Sequence, residues 1–252
     1  GNFLTAGIDF DGASDYLSKS SDLTGNADGK TLTFSAFVYI AGGSAGSDYF
    51  LANRNSGNSD STVGFGYQSF GDGTNTMSIF LKNSSFSNVV SFTVQNSLAD
   101  DTFNHILFSL DTSDTSKRHV YINDIAVSPT YSTYSNANID FTQPQWSIGG
   151  ILGGGNTVKG RLAGIYLDYT YRDLSTTSNR RLFIDANGLY VTPPTSGIIS
   201  LTLDDADNAG TNSGTGGNFT LNGTVAQSGR VANQYNAAAS IFDGVNAGDK
   251  LV

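Results

Sequence analysis

The clearest signal in this chain is alternation of apolar and polar positions in short runs. Phe103 to Asp111 places Phe103, His105 and Leu107 on one side of an extended backbone and Ile106, Phe108 and Leu110 on the other. A second run, Val120 to Ile125, follows a polar connector from Thr112 to Lys117, and the pair predicts an antiparallel hairpin. Met77–Leu81 and Val89–Val94 predict another. Thr31 to Ile40 alternates in its first half and then turns apolar on both faces, as a central strand with a covered far end would. In Val63 to Tyr67, Val63, Phe65 and Tyr67 share a face while Gly64 and Gly66 leave bare backbone on the other, which calls for close packing or binding there. Further strands are expected at Ile8–Asp11 and Tyr16–Ser18 around an Asp-Gly turn, and at Tyr49–Ala52, Trp146–Gly150 and Gly160–Tyr169. Asn53 to Ser61 and Ser128 to Asn138 read as polar surface loops. Thr177 to Ile184 is the best helix candidate, with Ser175 or Thr176 as its cap and Gly188 beyond its end.

From Pro193 onward the chain is low in charge and rich in Gly, Asn, Thr and Ala, interrupted by apolar patches at Ile198–Leu203, Phe219–Val225 and Ser240–Phe242. This predicts a division into residues 1–190 and a C-terminal segment, 191–252, that completes the sandwich or acts as an assembly arm. Phe242-Asp243-Gly244, with Asp249 and Leu251, echoes Phe10-Asp11-Gly12, Asp15 and Leu17. Shared turn chemistry accounts for the echo, as does a partial second copy that pairs beside the first or with a neighbouring subunit.

Composition narrows the class. Thirty Gly, 16 Phe and 12 Tyr in 252 residues suit many short strands joined by tight turns, an all-β protein large enough for a substantial core. There is no Cys, which excludes disulfides, thiolate nucleophiles and thiolate metal sites. A net charge of −9 argues against nucleic acid, and the clusters Lys117-Arg118-His119 and Arg180-Arg181 are too small for a phosphate-binding stripe and read as solvated faces. No apolar run is long enough to span a bilayer as a helix, so membrane insertion is not expected. Gly1 is followed by no basic and apolar leader, which predicts synthesis without a secretory signal.

The signature hairpin, together with Phe10-Asp11-Gly12 and Asp15-Tyr16-Leu17, resembles LamG-like domains of the concanavalin A-like lectin/glucanase superfamily, over roughly residues 7 to 190. The resemblance implies an all-β, two-sheet antiparallel jelly-roll sandwich that binds glycans or proteins, with enzymes in only some branches. The stretch Asn179-Arg180-Arg181-Leu182-Phe183-Ile184-Asp185-Ala186-Asn187-Gly188 looks like one carried by tailed-phage structural proteins with this domain.

Enzymes of the glucanase branch carry two glutamates and an aspartate on one inner strand. All 22 acidic residues here are aspartates, so that motif is absent. Asp100-Asp101 and Asp204-Asp205 are sequence neighbours that point to opposite sides of an extended chain, unlike the paired carboxyls of a glycosidase. Asp111 and Asp114 suit a hairpin loop, His105 a hydrogen-bonded strand position and His119 a solvated one. In many relatives an Asp of the closing strand supports a structural calcium, and its place aligns here with Ala163. Asp60 and Asp72, in polar loops, remain candidate Ca2+ ligands because hard cations prefer oxygen. A glycan needs aromatic faces beside polar groups, which nominates Tyr131, Tyr134, Trp146 and Tyr67. The expected function is a non-enzymatic virion surface protein, a capsid decoration, fibre or tail-associated adhesion module. It would form a homo-oligomer, contact other virion proteins or its own copies, and bind cell-surface glycans. The alternative is a free extracellular lectin or carbohydrate-binding module, with a glycan-degrading enzyme least favoured.

Overall fold

The run Thr31–Ile40 forms strand β3, the centre of a sheet in which β8 (Phe103–Asp111) and β13 (Lys159–Asp168) flank it on either side. The computed structural model describes residues 7–43, 45–57, 60–71 and 74–227. Beyond β8 the first sheet continues through β9 (Arg118–Ile122) to a short edge, β10 (Ile125–Ala126). Beyond β13 it continues through β1 (Ile8–Asp11) to β16 (Ala226–Gln227), while β14 (Ile199–Leu201) pairs with the distal half of β13. The second sheet runs β11 (Thr130–Tyr134), β7 (Asn88–Ala99), β6 (Thr74–Lys82), β5 (Val63–Phe70), β4 (Ala45–Arg54), β12 (Gln145–Ile148), β2 (Tyr16–Lys19) and β15 (Thr220–Asn222). All strand pairings within the two sheets are antiparallel, as a jelly-roll sandwich requires.

Between the sheets, Phe34, Phe65, Phe92 and Phe108 meet with ring centroids 4.8–5.9 Å apart, mostly edge-on. The first sheet is also covered on its outer face. Phe37, Phe103 and Ala163 pack with Ile184, and Leu107 and Tyr166 pack with Leu174 and Phe183. This roof explains why the second half of β3 is apolar on both sides. Among the described residues no such apolar cluster lies on the outer face of the second sheet.

The chain passes from the first sheet to the second at the Asp-Gly corner. One carboxylate, Asp11, accepts the N–H groups of Ala13, Ser14 and Asp15 at 2.8–3.1 Å and the Ser14 hydroxyl at 3.0 Å. Those bonds favour its charged form and hold its pKa near about 2. Asp15 in turn accepts the Thr224 N–H at 2.8 Å, which ties the corner to the strands β15 and β16.

Two sequence expectations need correction. The expected loop Ser128–Asn138 contains the edge strand β11, because Tyr131 and Tyr134 pack against the core and Thr and Tyr suit a pleated edge. The helix is only α1 (Thr177–Arg180), and the Thr176 side chain makes no cap bond. Asp173 instead takes the Ser175 N–H and hydroxyl, and Phe183 and Ile184 turn down onto the sheet.

Candidate functional site

Strand β5 sends Val63, Phe65 and Tyr67 into the core, so Gly64, Gly66 and Gln68 face outward from the second sheet. A register shift at Phe50 lets Phe50 and Leu51 both enter the core and returns Tyr49 to the outer face opposite Gly66. On the other side, β6 alternates Met77, Ile79 and Leu81 inward with Ser78 and Phe80 outward. The two outward rings meet over the bare glycine backbone, with Tyr49 and Phe80 centroids 6.1 Å apart and planes at 88°. A Cβ on Gly64 would lie 2.2 Å from the Phe80 ring, and one on Gly66 would lie 2.2 Å from the Asp48 carbonyl oxygen and 3.1 Å from the Tyr49 ring. The glycines therefore permit the rings to lie down on the sheet. Beside them is a pit of ≈ 90 Å³, lined in part by Ser47, Tyr49, Gly66, Gln68 and Ser78.

Polar groups gather at the other end of this face. Arg54 and Gln145 are register partners on β4 and β12. Arg54 donates through Nη1 to the Leu152 carbonyl at 3.2 Å. Its Nε and the Gln145 Oε1 are both buried, yet neither has a partner among the described residues. The Lys82 ammonium lies 5.2 Å from the Phe80 centroid. Burial pushes the Tyr49 hydroxyl pKa up, and the Arg54 charge opposes that shift. The glycine-rich loop after β12 forms a wall, held by Asn156 O accepting from Tyr49 N (3.1 Å) and Phe50 O accepting from Gly149 N (3.3 Å). Apolar ring faces on the same sheet face as a donor and an acceptor side chain match a sugar, whose hydroxyl can accept from N–H and donate to C=O at once.

The structure disposes of the expected site residues differently. Tyr67 is 1% exposed and Trp146 0%; both are core residues, placed inward by strand alternation, and this corrects their reading as contact rings. The Tyr67 hydroxyl donates to Asp48 at 2.9 Å, and Trp146 Nε1 donates to Asp22 at 3.3 Å. Tyr131 and Tyr134 are half-buried at the sheet edge, 5.5 Å apart, and the Arg118 guanidinium stacks 4.5 and 5.1 Å from their centroids. Burial raises both hydroxyl pKa values, that of Tyr131 to about 12, and Tyr134 donates to the Asp111 carbonyl at 2.8 Å. Arg180 and Arg181 both engage Asp124, at 2.6 and 2.8 Å, so they are not a solvated basic face. His119 is half-buried rather than solvated, with its Nε2 2.8 Å from the Tyr171 hydroxyl.

Asp60 is exposed, in a loop closed by buried Asn53, whose side-chain oxygen accepts from Thr62 N (2.9 Å) and Val63 N (2.8 Å). Asp72 lies outside the described residues, as do Phe242-Asp243-Gly244 and Asp249. No group of three or more His, Cys, Asp or Glu among the described residues is arranged to hold a metal ion. Ala163, where relatives place a calcium-supporting Asp, sits in the apolar cluster of Phe37, Phe103 and Ile184, so a cation does not fit there. Sequence reasoning missed Tyr49, Arg54, Phe80 and Gln145. The bare face of Gly64 and Gly66 was the usable signal, but only the strand register says which rings flank it.

The profile of the family described as concanavalin A-like lectin/glucanases superfamily (Laminin_G_3) matches residues 11–167. No curated protein matches the chain. Similar solved structures include a putative carbohydrate binding protein from Bacteroides ovatus, with TM-score 0.55 and 13% identity over 90% of this chain and 60% of that one. A native heptameric SAP-like pentraxin from Limulus polyphemus gives TM-score 0.50 and 16% identity over 68% of this chain and 78% of that one. Tailspike protein 2 of an Escherichia coli O157:H7 bacteriophage gives TM-score 0.50 and 16% identity over 75% of this chain and 25% of that one. The chain thus spans a quarter of the tailspike and less than two thirds of the Bacteroides protein. At these identities the likeness is one of fold.

Proposed function

The chain belongs to the concanavalin A-like lectin/glucanases superfamily, and from that premise we propose that it is a non-catalytic glycan-binding module whose outer second-sheet face takes the sugar. One observation carries this reading: the outward Tyr49–Phe80 pair shares a sheet face with Arg54 and Gln145, whose Nε and Oε1 have no partner among the described residues. The rings supply the apolar platform for sugar C–H faces, and the Arg54 and Gln145 side chains supply orientation. The non-catalytic part is supported by the residue types on this face. Glycoside hydrolysis needs two carboxyl groups on either side of the scissile bond. Among the described residues the outward positions of β4, β5, β6 and β12 carry none, and the pit beside the rings is lined by a single carboxyl, that of Asp48.

The phage-like stretch Asn179–Gly188 supports a place on a virion surface, as an oligomeric adhesion module among other virion proteins. A free extracellular lectin is the alternative. Binding to a glycan array tests the module itself. Tyr49→Ala is expected to weaken the best glycan at least tenfold with an unchanged thermal midpoint, and undiminished binding by this variant would overturn the site. Detection of the chain in purified virus particles, against its recovery only as free protein, separates the two locations.

A further inference from the structure

Arg54 and Lys82 put two positive charges on one sheet face in a chain of net charge −9. Lys117, Arg161, Arg172, Arg180 and Arg181 all have aspartate partners. Arg54 and Lys82 have none among the described residues, and neither do Lys19, Lys30, Arg118 and Lys159. Arg54 and Lys82 project from the same face at the same end, where β5 begins: the Lys82 N–H bonds the Thr62 carbonyl at 2.7 Å, and β4 passes on the other side of Thr62. With one strand between them, they are roughly 10 Å apart by strand spacing. Asp48, the aspartate of β4, is the register partner of inward Tyr67 and bonds its hydroxyl, so it does not neutralise this end.

The guanidinium geometry narrows the ligand further. Nη1 of Arg54 is taken by the Leu152 carbonyl, which fixes the side chain, and its buried Nε has no partner among the described residues. A guanidinium carries parallel N–H donors in a fixed fork, the arrangement that matches the two oxygens of a carboxylate. Gln145, the register partner of Arg54, offers its Oε1 as an acceptor for a hydroxyl next to that carboxylate.

We infer that the saccharide this face takes is acidic, with a sugar carboxylate seated on the Arg54 guanidinium and Lys82 adding charge attraction across the face. The inference rests on the glycan-binding reading above and names its ligand class. Neutral sugars would use the Tyr49–Phe80 platform alone.

The test is an array of glycans printed as matched acidic and neutral pairs, with carboxylated and sulfated acidic members, followed by calorimetric titration of the best pair on the full chain. Carboxylated members are expected to bind at least tenfold more tightly than their neutral partners, with the preference shrinking as sodium chloride rises. Arg54→Lys keeps the charge but loses the fork, and should abolish most of the preference while neutral binding persists. Lys82→Gln, at the outer face, should reduce it about threefold. Equal binding of neutral and acidic partners, or full preference in Arg54→Lys, overturns the inference while leaving the glycan module standing. Tighter binding of sulfated than carboxylated members overturns the carboxylate assignment. Absence of any bound glycan overturns both readings.

Discussion

His105 shows how one residue can be legible in kind and illegible in detail. Its place in an alternating apolar strand marks it as structural, and the structure buries it with Nε2 2.9 Å from the Ser35 hydroxyl and its ring 4.4 Å from Phe37. That partner, 70 residues away, could not be read from the strand itself. Burial pulls its pKa down to about 3, below the ordinary value of 6.5. Between those values the unfolded chain takes up a proton that the folded chain does not, so acidification weakens the fold, by at most about 1.4 kcal/mol per pH unit. Urea unfolding from pH 6 to 4 should therefore show a steeper loss in the natural protein than in His105→Gln, and parallel slopes would refute it. Asp11 acts lower, with a shift in the same direction: its corner stabilises the fold above the usual carboxylate range and weakens as pH falls towards about 2. Trp146 and Tyr67 were misplaced because aromatic type alone does not say which way a strand position points.

At the scale of elements, alternation made both hairpins and the central strand readable, since each strand's partner lies next in sequence or in a clean apolar run. Strand β11 was not, because its Ser- and Thr-rich composition is that of a loop and only its pairing with β7 makes it a strand. The helix was overestimated because Phe183 and Ile184 satisfy a helical pattern but pack onto the first sheet. The stacked arrangement of β4, β5 and β6 carries a prediction of its own. Gly64→Ala should cost about 1–3 kcal/mol, because the new methyl must displace the Phe80 ring. In a Phe80→Ala background that cost should largely vanish, so a double-mutant cycle by chemical denaturation should give a coupling of about 1 kcal/mol or more. A cost that is the same in both backgrounds would place the strain elsewhere.

For the whole molecule, the two-layer architecture was evident from periodicity and composition, but the path of the last segment was not. Its described part buries Ile198, Ile199, Leu201, Leu203 and Phe219, and lays β15 against β2 and β16 against β1. Thr220 faces Ser18 across the ladder, a pairing too distant in sequence for any local pattern to reveal. A chain cut after Thr195 should lose cooperative unfolding and leave amides 8 to 18 open to hydrogen exchange. Unchanged protection there would mean that the strands β15 and β16 are dispensable. Ile8 and Gln227 stand opposite each other in the ladder of β1 with β16, so the entry and exit of the described sandwich adjoin. A host protein could accept residues 8–227 as a cassette inserted at a tight turn, with both junctions on one edge and the ligand face of the other sheet turned freely to its surroundings.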